Sequence, residues 1–130
     1  MKKALELFRV LGMLRHRIRY PVSLPEDIAF ALGIPLSNHL SFQDFVKQLT
    51  CPQCRPTNLL KFMPREKAEE AFGKALRKER FATNSLFSFY FAKEGWVEFV
   101  LQFDEKSRLR RVYLQHKQIP HDQGFEIRLF

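Results

Sequence analysis

The apolar positions of this chain keep a helical period of 3.6 over the first half and switch to a period of 2 over the second. Over residues 3–19, Ala4, Leu7, Leu11, Leu14 and Ile18 recur at helical spacing, and Phe8 and Val10 widen the stripe. Lys2, Glu6, Arg9, His16 and Arg17 fall on the other side, and Pro21 ends the helix. In SLPE, Ser23 and Glu26 stand at capping-box spacing and start a second helix through DIAFAL, which Gly33 and Pro35 stop. A second box, Ser41 to Asp44, is flanked by Leu40 and Phe45 at staple positions and predicts a third helix over 42–50. LLKFM (59–63) is apolar enough for a strand, with a helical turn as the alternative. Pro64 then opens a long helix over 65–80, with Ala68, Ala71, Phe72, Ala75 and Leu76 on its buried face. Gly73 within it suits close approach to a sheet.

Beyond that helix the pattern alternates. SLFSFYFA places Phe87, Phe89 and Phe91 on one face, and KEG supplies a three-residue loop with Gly95 suited to the left-handed position. This loop pairs Phe91 with Val97, Phe89 with Phe99 and Phe87 with Leu101, so apolar faces match down the hairpin. A tight turn near EKS leads to a third strand, RLRRVYLQ, where Val112 and Leu114 continue the same face, and FEIRLF adds a terminal strand. The expected fold is α+β. An N-terminal segment of about three helices precedes a long helix packed on an antiparallel β-meander of three to four strands. The chain is read as one domain, 1–130, with a helical part over 1–50 and a helix-plus-sheet part over 59–130.

Composition supports a folded core. A chain of 130 residues buries roughly two thirds of its unfolded surface. With 45% hydrophobic residues, including 14 Phe, it is far from the disordered class. Two cysteines are too few for a disulfide scaffold, so a reducing, cytoplasmic setting is expected. No apolar run approaches the roughly 18 residues of a membrane span. Glu6 and Arg9 interrupt any signal-peptide apolar region.

The net charge of +8 is concentrated at the two ends. Residues 1–20 carry six Lys/Arg against Glu6, residues 105–130 carry six against three acids, and 82–104 is net acidic. That distribution implies an acidic partner, nucleic acid being the commonest, with an acidic protein or anionic lipid able to serve as well.

The stretch TCPQCR, residues 50–55, is the sharpest chemical motif. Its Cys51-Pro-Gln-Cys54 resembles the C-P-x-C motif of glutaredoxins over four residues. A helix precedes it, however, and Pro56 breaks the helix a redox site needs after it. A zinc site would need two further ligands from His116, His121 or His39, none at standard spacing. Two unligated thiols in a helix-exit loop are expected, with no metal and no cofactor.

Other patterns bear on binding. DIAFALGIP resembles the first helix and turn of a helix-turn-helix DNA reader, but the following LSNHL is too short for a recognition helix. On the sheet, Tyr90, Trp96, Arg111 and Tyr113 alternate away from the Phe face, with Arg108 and Arg110 adjoining. Aromatics beside arginines make a stacking platform for single-stranded nucleic acid. The same residues instead suit packing beneath the N-terminal helices, which need a surface on which to bury their apolar faces.

Catalysis has little support. The glycines are scattered at 12, 33, 73, 95 and 124, and no triad or phosphate loop is evident. The expected function is a small, basic, non-catalytic intracellular binding module. Its candidate contact residues are Arg15, Arg17, Arg19, Tyr90, Trp96, Arg108, Arg110, Arg111 and Tyr113, and its expected partner is acidic, with nucleic acid slightly favoured. A protein-interaction adaptor or chaperone-like subunit, acting through the first helix or a sheet face and able to dimerise, is the alternative.

Overall fold

The computed structural model describes residues 22–35, 41–119 and 124–130. Among the described residues, α1 (Pro25–Leu32), α2 (Phe42–Leu49) and α3 (Arg65–Ala71) precede a five-stranded sheet. The sheet comprises β1 (Arg77–Arg80), β2 (Asn84–Phe91), β3 (Gly95–Phe103), β4 (Leu109–Gln115) and β5 (Phe125–Ile127). The strands lie in chain order and every neighbouring pair is antiparallel. The chain is therefore α+β. The helix read over 3–19 and the staple residue Leu40 lie outside the described residues.

The long helix expected over 65–80 is half that length. It stops at Ala71, tightens through turns that end with Ala75 N–H bonding to Phe72 O, and re-emerges as β1. The reason is tertiary. Asn84–Ser88 would leave one edge of β2 without partners, and Arg77–Arg80 supply them. The meander accordingly has five strands instead of three or four.

The β2–β3 hairpin pairs Phe91 with Gly95, Phe89 with Val97 and Phe87 with Phe99, two residues from the expected register. Gly95, at φ 84°, opens β3 instead of sitting in the loop. The loop is also drawn in by His116, whose Nε2 lies 3.0 Å from Glu94 O. A slip of two residues leaves every side chain on its expected face. Val97, Phe99, Leu101, Val112 and Leu114 are buried alongside Phe87, Phe89 and Phe91.

Helix caps follow the sequence in one case and not the other. Ser41 accepts the Asp44 N–H at 3.1 Å and caps α2 as its spacing suggests. Ser23 does not cap α1. The Asp27 carboxylate accepts the N–H of Leu24 instead, while Ser23 exchanges bonds with the Tyr90 backbone at 2.7 and 3.0 Å. LLKFM is a turn and not a strand, with Met63 N–H bonding to Leu60 O.

Helices α1, α2 and α3 pack on the Phe face of the sheet, with Phe30 of α1 left exposed. Ile28, Leu32, Phe45, Leu49 and Phe72 join Phe89, Phe99 and Leu101 in one core. Gly33 ends α1 at φ 75°, and its bare Cα lets Thr57 and Asn58 approach. Thr57 Oγ1 then donates to Gly33 O at 2.6 Å and Asn58 N–H to Leu32 O at 3.0 Å. An added Cβ would collide with Thr57 Oγ1 and stand 2.8 Å from Asn58 N. Gly33→Ala is expected to destabilise by about 1–3 kcal/mol, from left-handed strain and this clash together. Urea unfolding tests it, and an unchanged midpoint would remove Gly33 from the structural account.

Candidate functional site

The residues nominated from sequence are not gathered into one platform. Tyr90 and Trp96 face each other at the hairpin end, with ring centroids 5.0 Å apart and the Arg77 guanidinium 4.4 Å from the indole. Arg111 pairs with Gln102, six residues along β3 from Trp96, which is roughly 20 Å away in an extended strand. Tyr113 is buried, at 7% exposure, and the exposed Arg111 donates a hydrogen bond to it. That bond first, and attraction from the Glu126 carboxylate after it, raise the Arg111 guanidinium further above its ordinary value. The buried apolar residues of α1 and α2 belong to the core cluster that holds Phe87, Phe89 and Phe91, and Tyr90, Trp96 and Tyr113 are not in it. Arg15, Arg17 and Arg19 lie outside the described residues.

Arg108 and Arg110 belong to a different assembly, at the start of β4. The turn of residues 60–63 is laced to this strand and to the chain end. Phe62 N–H donates to Leu109 O at 2.7 Å, Leu109 N–H to Met63 O at 2.9 Å, and Lys61 N–H to Phe130 O at 3.1 Å. These bonds hold Phe62 at φ 70°, a conformation disfavoured for a bulky side chain, with its ring 47% exposed. Non-glycine residues held in such conformations cluster at functional sites.

Cations surround this ring and a second one. Around Phe62, the charged groups of Arg110, Arg108 and Lys61 lie 5.0, 5.7 and 5.7 Å from the ring centre. Around Phe130, 44% exposed, those of Arg55 and Arg128 lie at 4.3 and 5.1 Å. A cleft of about 440 Å³ is lined by Lys61, Arg110, Glu126, Arg128 and Leu129, so three of these cations belong to it although neither ring lines it. Asp104 offsets part of the charge, 3.1 Å from Arg108 and 3.9 Å from Arg110. Its carboxyl is held below the usual range, first by the Arg108 N–H. Among the described residues no carboxylate forms an ion pair with Arg55, Lys61 or Arg128.

The arrangement thus offers two flat apolar faces, rimmed by five cations, beside a pocket sized for a small ligand. Sequence reading found Arg108 and Arg110 but missed Arg55, Lys61, Phe62, Arg128 and Phe130. Lys61 beside Phe62 and Arg128 two residues before Phe130 carry no distinctive spacing, so little in the sequence signals this cluster.

The cysteine turn holds a different chemistry. Cys54 N–H bonds to Cys51 O at 2.9 Å, and both thiols are free. Burial, then the neighbouring Cys51, raises the Cys54 thiol above its ordinary value, which disfavours the reactive thiolate. His116, one of the possible zinc ligands, has both ring nitrogens engaged: Nε2 with Glu94 O, and Nδ1 accepting from Gln118 N–H at 3.2 Å. Among the described residues no group of three or more His, Cys, Asp or Glu could hold a metal ion. His39 and His121 lie outside them.

The fold and this surface define an α+β domain with a cationic–aromatic cluster at one end of its sheet. No protein-family model, curated protein or solved structure matches the chain. No helix among the described residues is long and apolar enough to cross a membrane.

Proposed function

We propose that this protein is a small, basic, non-catalytic binding module of the cytoplasm whose acidic partner is single-stranded nucleic acid. The observation that carries this reading is the pair of half-exposed Phe rings, each with cations 4.3 to 5.7 Å from its centre. Unpaired bases stack on such rings, while arginine and lysine neutralise the backbone phosphates beside them. A duplex hides its base faces and gains only the charge contacts. Single strands are therefore preferred.

Binding to a labelled single-stranded 12-mer is expected to weaken as salt rises, with a log–log slope of about −3 if four phosphates are contacted at ~0.7 each. Replacing Arg110 and Arg128 by Ala flattens that slope by about 1.4. Phe62→Ala instead lowers affinity about tenfold and leaves the slope alone, because a stacked base is lost and no charge. Fluorescence anisotropy at 50–300 mM salt reads all three. Absence of binding at the lowest salt would reject the reading.

A protein-adaptor reading draws on one separate observation. Val22, Leu24 and Phe30 are 49%, 55% and 63% exposed in and just before α1. A homodimer or partner seated there would be disrupted by Phe30→Ser and indifferent to the Arg110 and Arg128 changes.

A further inference from the structure

Charge and stacking hold a strand without choosing among bases, yet the cleft contains one carboxylate among its cations. Glu126 lies on β5 opposite Tyr113, is exposed, and lines the same cleft as Lys61, Arg110 and Arg128. Its carboxylate makes no hydrogen bond or ion pair among the described residues. Arg111 attracts it through space, but that guanidinium is engaged first by Tyr113.

The cleft's cations also tie it to both rings. Arg110 and Lys61 lie 5.0 and 5.7 Å from the centre of Phe62, and Arg128 lies 5.1 Å from that of Phe130. A volume of about 440 Å³ falls in the ordinary range of small-molecule sites. One nucleotide fits, with its phosphate among the same cations that flank the two rings.

A carboxylate accepts hydrogen bonds and donates none. On the Watson–Crick edge only guanine offers two adjacent donors, N1–H and the N2 amino group. Adenine and cytosine set one donor beside an acceptor, and uracil and thymine place one donor between two acceptors. An unmatched acceptor facing a carboxylate is repelled and loses its water.

We infer that the cleft between the residue 60–63 turn, β4 and β5 is a guanine-selective nucleotide subsite. Lys61, Arg110 and Arg128 hold the phosphate, and Glu126 accepts from guanine N1–H and N2–H. This rests on the single-strand reading above and adds a base preference that reading does not require.

Two labelled RNA 12-mers test it, one all uridine and one with a single central guanosine, with a central adenosine as control. The wild-type protein is expected to bind the guanosine strand about tenfold more tightly than the other two. Glu126→Gln, which sets a donor against a donor edge, brings that ratio close to one. Equal wild-type binding of all three strands overturns the guanine subsite and leaves single-strand binding standing. A guanosine preference that survives Glu126→Gln overturns the assignment of Glu126. If none of the strands binds, both readings fall. Because Glu126 is exposed, folding is not at stake, and circular dichroism verifies it.

Discussion

Arg65→Ala is expected to destabilise the protein by about 3–5 kcal/mol, the range for removing one partner from a buried charged network. Arg65 is only 4% exposed although it carries a full charge. Its Nη1 donates to Ala82 O at 2.9 Å, and its Nη2 donates to Phe81 O, Asn84 O and Ser85 Oγ at 2.7, 2.9 and 3.1 Å. Nε donates to Glu69 Oε2 at 3.2 Å, and the guanidinium lies 4.8 Å from the Phe103 ring centre. One side chain therefore fastens α3 to the β1–β2 turn. Without it, the Phe81 and Ala82 carbonyls lose this donor at the turn, Asn84 O keeps only the Phe81 N–H at 2.8 Å, and the partly buried Glu69 carboxylate keeps only Ser85 Oγ, at 2.5 Å, and Arg80, at 3.4 Å. Arg65→Lys should recover little, because an ammonium cannot reproduce the planar fork that serves several acceptors at once. Urea denaturation measures both. A loss under about 1 kcal/mol for Arg65→Ala would mean that backbone pairing alone holds the turn.

Phe72→Ala should cost a similar amount, about 3–5 kcal/mol, by a different route. Phe72 is fully buried just past the end of α3, and its ring stacks on Phe87 at 4.8 Å and 11°. It also meets Phe99 at 5.5 Å and Phe89 at 6.3 Å, so three strand residues close around one ring. Truncation leaves a cavity that a sheet, fixed by its hydrogen bonds, cannot collapse to fill. Phe72→Leu keeps most of the volume and should lose markedly less. If both variants unfold at the wild-type urea concentration, the Phe cluster is not the centre of the core.

What the sequence disclosed follows from the range of the interaction involved. Side-chain alternation is fixed by covalent geometry, so Phe87, Phe89 and Phe91 could be assigned to one face together with Val97 and Phe99. Register is decided by more distant groups, and the bond between His116 and the Glu94 carbonyl has no local trace. Arg77–Arg80 read as helix because their charges suit one, and only the bare edge of β2 makes them a strand. The same holds for the surface cluster. Arg108 and Arg110 were visible as charge, whereas Phe62 and Phe130 resembled core residues until the turn and the chain end came together at Lys61 N–H and Phe130 O.

The outermost strands carry a consequence for how this molecule behaves at high concentration. A sheet with so many phenylalanines would be hazardous if its margins could recruit another chain. One margin, β1, is four residues long, and all four, Arg77, Lys78, Glu79 and Arg80, are charged and exposed. The other, β5, has three residues, with exposed Glu126 at its centre and Arg128 next beyond it. Among the described residues neither gives an incoming strand enough uncharged length to zip onto, so the margins of this sheet oppose the edge pairing that its core composition would otherwise invite.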